Sequence, residues 1–212
     1  MAASSIQFSN PSYSLMEIIQ KLWLSFEHLG VKSGGQYYLQ KHSADGKTLD
    51  LIAKHKDIKG IPRIVEDPDS FNEAAFSFWI NTMEFFLAVN TLSRPPELGI
   101  TFMGDALTIP GSQKVTQIMH GVVDTLDLDC AILVYGGVEA QELERQMRLG
   151  KSVLSIVQDR LVNPGTMGPP RIAVILDKYV TTLMKERARD LGVTVRHMLP
   201  RYIVFSLNSD TP

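Results

Sequence analysis

The stretch LGITFMGDALTIPGSQKVTQIMHGVVDTLDLDCAILVY, residues 98–135, decides how the fold is read. LGITFM (98–103) is an apolar, β-branched run of strand length. PGSQKVTQIMHGVVDTL (110–126) then sets Val115, Ile118, Met119, Val122 and Leu126 at helical spacing, with Pro110 suited to the first turn. CAILVY (130–135) is apolar throughout, as in a strand covered on both faces. Farther on, VEAQELERQMRLG (138–150) reads as a helix with a mostly charged surface, and KSVLSIVQDRLV (151–162) as another. RIAVIL (171–176) is a second buried strand, and KYVTTLMKERARDLG (178–192) is a helix stopped by Gly192. VTVRH (193–197) and YIVFSL (202–207) are the last two strands. This alternation predicts an α/β fold with a mixed, largely parallel sheet flanked by helices, because parallel neighbours need crossover connections.

Working back toward the N-terminus, residues 1–12 are small and polar and predict a flexible arm. Ser14 and Glu17 form a capping box, and Leu15, Ile19, Leu22, Trp23, Phe26 and Leu29 recur at helical spacing up to Gly30. YYLQ (37–40) and LDLIAK (49–54) predict a hairpin turning at Asp45-Gly46. A second Ser-x-x-Glu pattern, Ser70 with Glu73, predicts a long helix over 71–89 that ends at SRPPELG. The whole is expected to be a single α/β domain over 13–212, with 93–98 as the place for any subdivision.

The 212 residues are 44% hydrophobic and 21% charged, ample for a globular core, and the net charge of −2 excludes a globally basic nucleic-acid binder. Cys130 is the only cysteine, so no internal disulfide forms, which suits a reducing compartment. No leader and no membrane-length apolar run is present, so the expected protein is soluble and intracellular, cytoplasmic or nuclear.

No motif assembles a catalytic centre. Gly136-Gly137 stands between a strand and a helix, where a phosphate-binding turn belongs, but the third glycine and acidic partner of a dinucleotide site are missing. Asp124, Asp127 and Asp129 lack the spacing of a calcium loop, and the five histidines show no zinc-binding spacing. A restriction-endonuclease-like core around Asp50 would be inactive, because Ile52 occupies the place of a second carboxylate. The expectation is therefore no catalytic residue, no metal and no cofactor. Arg145, Arg148 and Lys151, with Lys185 and Arg189, are the candidate contacts for phosphate or an acidic partner. Phe71, Phe76, Trp79 and Phe85 are candidate partner-facing aromatics, because aromatics all round a helix need a second surface to cover them.

SLMEIIQKLWLSFEHLG, ITFMGDALTIPGSQKVTQIMHGVV and CAILVYGGVEAQELERQM, followed by VTVRHMLPRYIVFSL with His197, Leu199 and Pro200, carry a resemblance. In that order they resemble the N-terminal jaw domain of the fifth subunit shared by eukaryotic nuclear RNA polymerases, without that family's C-terminal assembly domain. The resemblance implies a non-catalytic structural or interaction subunit of a nucleic-acid-handling complex. Its partners would be larger protein subunits, with nucleic acid met through the complex. Two other readings stay open. One is a small α/β enzyme with its site at the strand C-termini near Gly136, Gly137 and Asp177. The other is a self-assembling structural protein.

Overall fold

The computed structural model describes residues 4–42, 49–56, 73–80, 83–90, 97–103, 112–198 and 201–207. In chain order the elements are β1 (Ser4–Phe8), α1 (Leu15–His28), β2 (Lys32–His42), β3 (Leu49–Lys56), β4 (Glu73–Ile80), β5 (Met83–Asn90) and β6 (Glu97–Phe102). They continue as α2 (Ser112–Thr125), β7 (Cys130–Tyr135), α3 (Gly136–Arg148), α4 (Val153–Val162), β8 (Ile172–Leu176), α5 (Thr182–Asp190), β9 (Val193–Met198) and β10 (Tyr202–Leu207). The chain divides into two units, Asn10–Met103 and the combination of Met1–Ser9 with Gly104–Pro212.

In the unit Asn10–Met103, α1 starts as its sequence dictates. Ser14 Oγ accepts from the Glu17 amide at 3.4 Å, and Glu17 Oε2 accepts from the Ser14 amide at 2.9 Å. The strands run in the order β3-β2-β4-β5-β6, every pair antiparallel. The predicted β2–β3 pairing forms, with Leu39 opposite Ala53, while the Asp45-Gly46 turn lies outside the described residues.

The helix expected over 71–89 is instead the antiparallel pair β4–β5, and Ser70 lies outside the described residues. The physical reason is a period of two rather than 3.6. Phe76, Phe78, Phe85, Leu87 and Val89 all face one side and are buried, and Phe78 stands opposite Phe85. Trp23 and Phe26 of α1 pack edge-on against Phe76, Phe78 and Phe85, with ring centroids 5.0–6.4 Å apart. Each such buried ring contributes about 1.5–3 kcal/mol, more than any helix propensity in the segment. Gly34 lies in the β2 irregularity where that strand crosses β4. A Cβ there would stand 2.1 Å from Ser77 Oγ and 3.0 Å from the Ser77 carbonyl carbon.

In the other unit the strand order is β1-β7-β8-β10-β9, again with every pair antiparallel. The expected largely parallel sheet is thus overturned. Strand–helix alternation implies a parallel neighbour only when a single helix makes the crossover and nothing is inserted beside it. Two helices, α3 and α4, separate β7 from β8, and the second returns the chain to the end of the sheet it left. Arg160 near the end of α4 consequently meets Glu139 at the start of α3, at 2.6 Å. After α5, β10 hairpins back from β9 and inserts beside β8, so β9 never touches the strand it parallels.

The expected arm over 1–12 is also corrected, because Ser4–Phe8 is strand β1 paired with β7, with Ile6 and Phe8 buried. Ser9 fixes its end: Oγ accepts from the amides of Asp129 (2.9 Å) and Cys130 (3.1 Å). One sheet face buries Cys130, Ile132, Ile175 and Phe205 under Leu143, Val157, Met184 and Ala188 of α3, α4 and α5. The alternate residues face α2, where Tyr202 donates its hydroxyl to the Val123 carbonyl at 2.9 Å. No described helix is long and apolar enough to cross a membrane.

Candidate functional site

The best-built polar locus lies where β7 runs into α3. Gly136 takes a positive φ of 80°, which lets the strand turn sharply into the helix. A phosphate would sit against the freed amides there, but the chain supplies its own carboxylate. Glu139 Oε2 accepts from the Tyr135 amide at 2.6 Å, and Glu139 Oε1 meets Arg160 at 2.6 Å. Arg160 also donates to the carbonyls of Gly168 (3.2 Å) and Pro169 (3.3 Å). The loop 163–170, a flexible joint by composition, is therefore tied to α4. Arg171 stacks over the Tyr135 ring at 4.5 Å from its centroid. This constellation is a structural clasp in which Arg160 and Glu139 match each other's charge.

The sheet direction separates the residues of the enzyme reading. Cys130 stands opposite Ile175 and Leu133 opposite Ile172, so Asp177 lies beyond the N-terminal end of β7. Its amide donates to the Arg201 carbonyl at 2.7 Å, and the Leu176 amide to the Asp129 carbonyl at 2.9 Å. Gly136 and Asp177 are thus at opposite ends of the β7–β8 pair, about 25 Å apart at roughly 3.3 Å per residue. A parallel sheet would have brought them together.

Most candidate cations are held by the protein's own carboxylates. Arg145 makes two 2.7 Å bonds to Glu142, and with Gln146 it pulls the Glu142 carboxyl down to about 2. Arg148 meets Glu144 at 2.5 Å, Lys151 meets Asp159 at 2.8 Å, and Lys185 stands 4.0 Å from Asp177. Arg189 is exposed and has no carboxylate partner among the described residues. Asp127, in a turn with φ of 50°, pairs with Arg201, and no metal-holding group of side chains exists among the described residues. Burial pushes the Cys130 thiol up to about 12, leaving a neutral core side chain and not a nucleophile.

The aromatic candidates divide. Phe71 lies outside the described residues, and Phe76 and Phe85 are buried beneath α1, so neither meets a partner. Trp79 is 38% exposed on the opposite sheet face. On that face Trp79 stands opposite Glu84, whose carbonyl accepts from the amide of the exposed Met103 at 3.1 Å. Half-buried Phe86 lies on the same side, with its ring 6.3 Å from that of Tyr38.

Two buried polar groups escape a sequence reading. Arg160 shares the helical stripe of Val153, Ile156 and Val157, and a cation on an apolar stripe was the available signal. His120 is 8% exposed on α2, edge-on to Tyr202 at 5.6 Å, and its Nε2 has no protein partner. Burial holds its imidazole below the usual histidine range, against the opposing charge of Asp124.

No protein-family model matches the chain, and no curated protein matches it in sequence. Among solved structures, a T6SS protein of Pseudomonas aeruginosa aligns over 97% of this chain with 7% identity and a TM-score of 0.46. The chain spans 65% of that protein's length, and a likeness at this level carries no functional argument.

Proposed function

We propose that the chain is a non-catalytic interaction subunit of a larger, nucleic-acid-handling assembly, the role suggested by its jaw-like order of elements. The supporting observation is the outward face of β4, β5 and β6. Trp79 and Met103 are exposed there beside half-buried Phe86. Large apolar side chains grouped on one face favour cover by another protein. In this reading the larger subunits hold the nucleic acid, since the cations of α3 are committed to Glu142 and Glu144.

The test is recovery of the tagged full chain from its native source, followed by size-exclusion with light scattering. Larger subunits at fixed stoichiometry are expected, and Trp79→Glu should reduce their yield. A monomer recovered alone, or homogeneous self-assembly without other subunits, overturns the proposal.

A further inference from the structure

We infer that β9 is a docking edge for an extended acidic segment of a protein partner. This rests on the interaction-subunit reading and names the partner's chemistry. β9 pairs with β10 along its whole length, Val193 opposite Leu207 through Met198 opposite Tyr202, and it ends the strand order. No described strand pairs with its other side. An antiparallel strand directs alternate backbone N–H and C=O groups to each side, so the outer edge offers a ladder to one further strand.

Charge specifies what that strand carries. Arg196 and His197 are both exposed in the middle of β9, and being consecutive they face opposite sides of the sheet. Arg189 is exposed near the end of α5, which packs on β9. Arg189 and Arg196 have no carboxylate partner among the described residues, whereas Arg145, Arg148, Lys151 and Arg201 each hold one. An added strand alternates its side chains across both faces. Carboxylates at its alternate positions would therefore share one face and meet Arg196 there.

Exposed charges on an edge strand also guard against aggregation, and that role accounts for Arg196 without any ligand. The two roles differ in their dependence on sign. A guard works with either charge, whereas an acid-binding edge fails when the cation is reversed.

The probe is a fluorescein-labelled peptide of about eight residues alternating Glu and Val, enough to span a typical strand. Its affinity for the full chain is read by anisotropy, beside a Lys-Val counterpart. The Glu-Val peptide should bind in a salt-sensitive manner and protect the outward-directed amides within Val193–Met198 from hydrogen exchange. Arg196→Glu, on an exposed side chain, should weaken it at least about tenfold while melting as the parent does. No binding, equal binding of the Lys-Val peptide, protection elsewhere, or indifference to Arg196→Glu overturns the inference. Tagged Arg196→Glu chain recovered from the native source separates this from the broader reading. Retained larger subunits would refute the β9 edge alone, whereas no subunits with the parent chain would refute the interaction role itself.

Discussion

Replacing Arg160 by leucine tests the clasp at the start of α3 most directly. Arg160 and Glu139 retain only 9% and 13% side-chain exposure, and their charged atoms meet at 2.6 Å. Leucine fits the apolar stripe of α4 but leaves the Glu139 carboxylate buried without its cation. Removing one member of a buried pair costs about 3–5 kcal/mol. The carbonyls of Gly168 and Pro169 also lose a donor, but these residues are half-buried and water reaches them. The lower end of the range, about 3 kcal/mol, is therefore expected. Adding Glu139→Gln removes the stranded charge and keeps an acceptor for the Tyr135 amide, so the double variant should recover roughly half the loss. Urea unfolding followed by far-ultraviolet circular dichroism reports on this unit, which holds α2 through α5. A loss below about 0.5 kcal/mol, or a double variant as unstable as the sum of the singles, would refute the reasoning.

Three further perturbations probe other parts of the molecule. His120→Leu should flatten the acid limb of the stability profile. The buried imidazole stays neutral below its usual range, so the parent loses up to about 1.4 kcal/mol per pH unit as pH falls below about 6.5. Superimposable profiles for parent and variant between about pH 7 and 5 would show that His120 is not the group responsible. Ser14→Ala should cost about 1 kcal/mol in urea denaturation by removing the acceptor for the Glu17 amide, and an unchanged midpoint would deny the cap any weight. Gly34→Ala should cost about 1–3 kcal/mol, because its Cβ meets Ser77 at 2.1 Å from Oγ. Adding Ser77→Gly should return part of that loss, and absence of any rescue would place the strain elsewhere.

Local signals in this chain were legible to the extent that they act within a few residues. The Ser14–Glu17 box, the apolar stripe of α2 and the apolar runs of β7 and β8 all formed where their spacing placed them. The β4–β5 segment was misread because a Phe-rich run satisfies both helical and strand spacing over a few residues. Which period wins depends on α1, more than forty positions earlier, supplying Trp23 and Phe26 as the opposing surface. Strand β1 was missed for a similar reason. Ser4–Phe8 is too short to declare itself, and its pairing partner lies past residue 130. Of the candidate site residues that are described, only Arg189 and Trp79 remain exposed without the partners that occupy the rest. Helix spacing shows where a cation points, but not whether a carboxylate one turn away already holds it.

The reversal of strand direction matters for function as well as for topology. In a parallel sheet every strand ends at the same side, so polar loops and helix N-termini converge there and create a site. In the unit containing β7 and β8, neighbouring strands end at opposite sides, and their loops are dispersed between two rims. Gly136 at one rim is served by Glu139, while Asp127 and Asp177 at the other engage Arg201 and Lys185. Neither rim leaves a converging set of free polar groups among the described residues. What such a sheet offers instead is its lateral edge, where β9 ends the strand order and Arg196 has no carboxylate partner among the described residues. An edge of this kind selects a partner by chain direction, strand propensity and charge. That selectivity suits assembly with another protein better than chemistry on a small substrate.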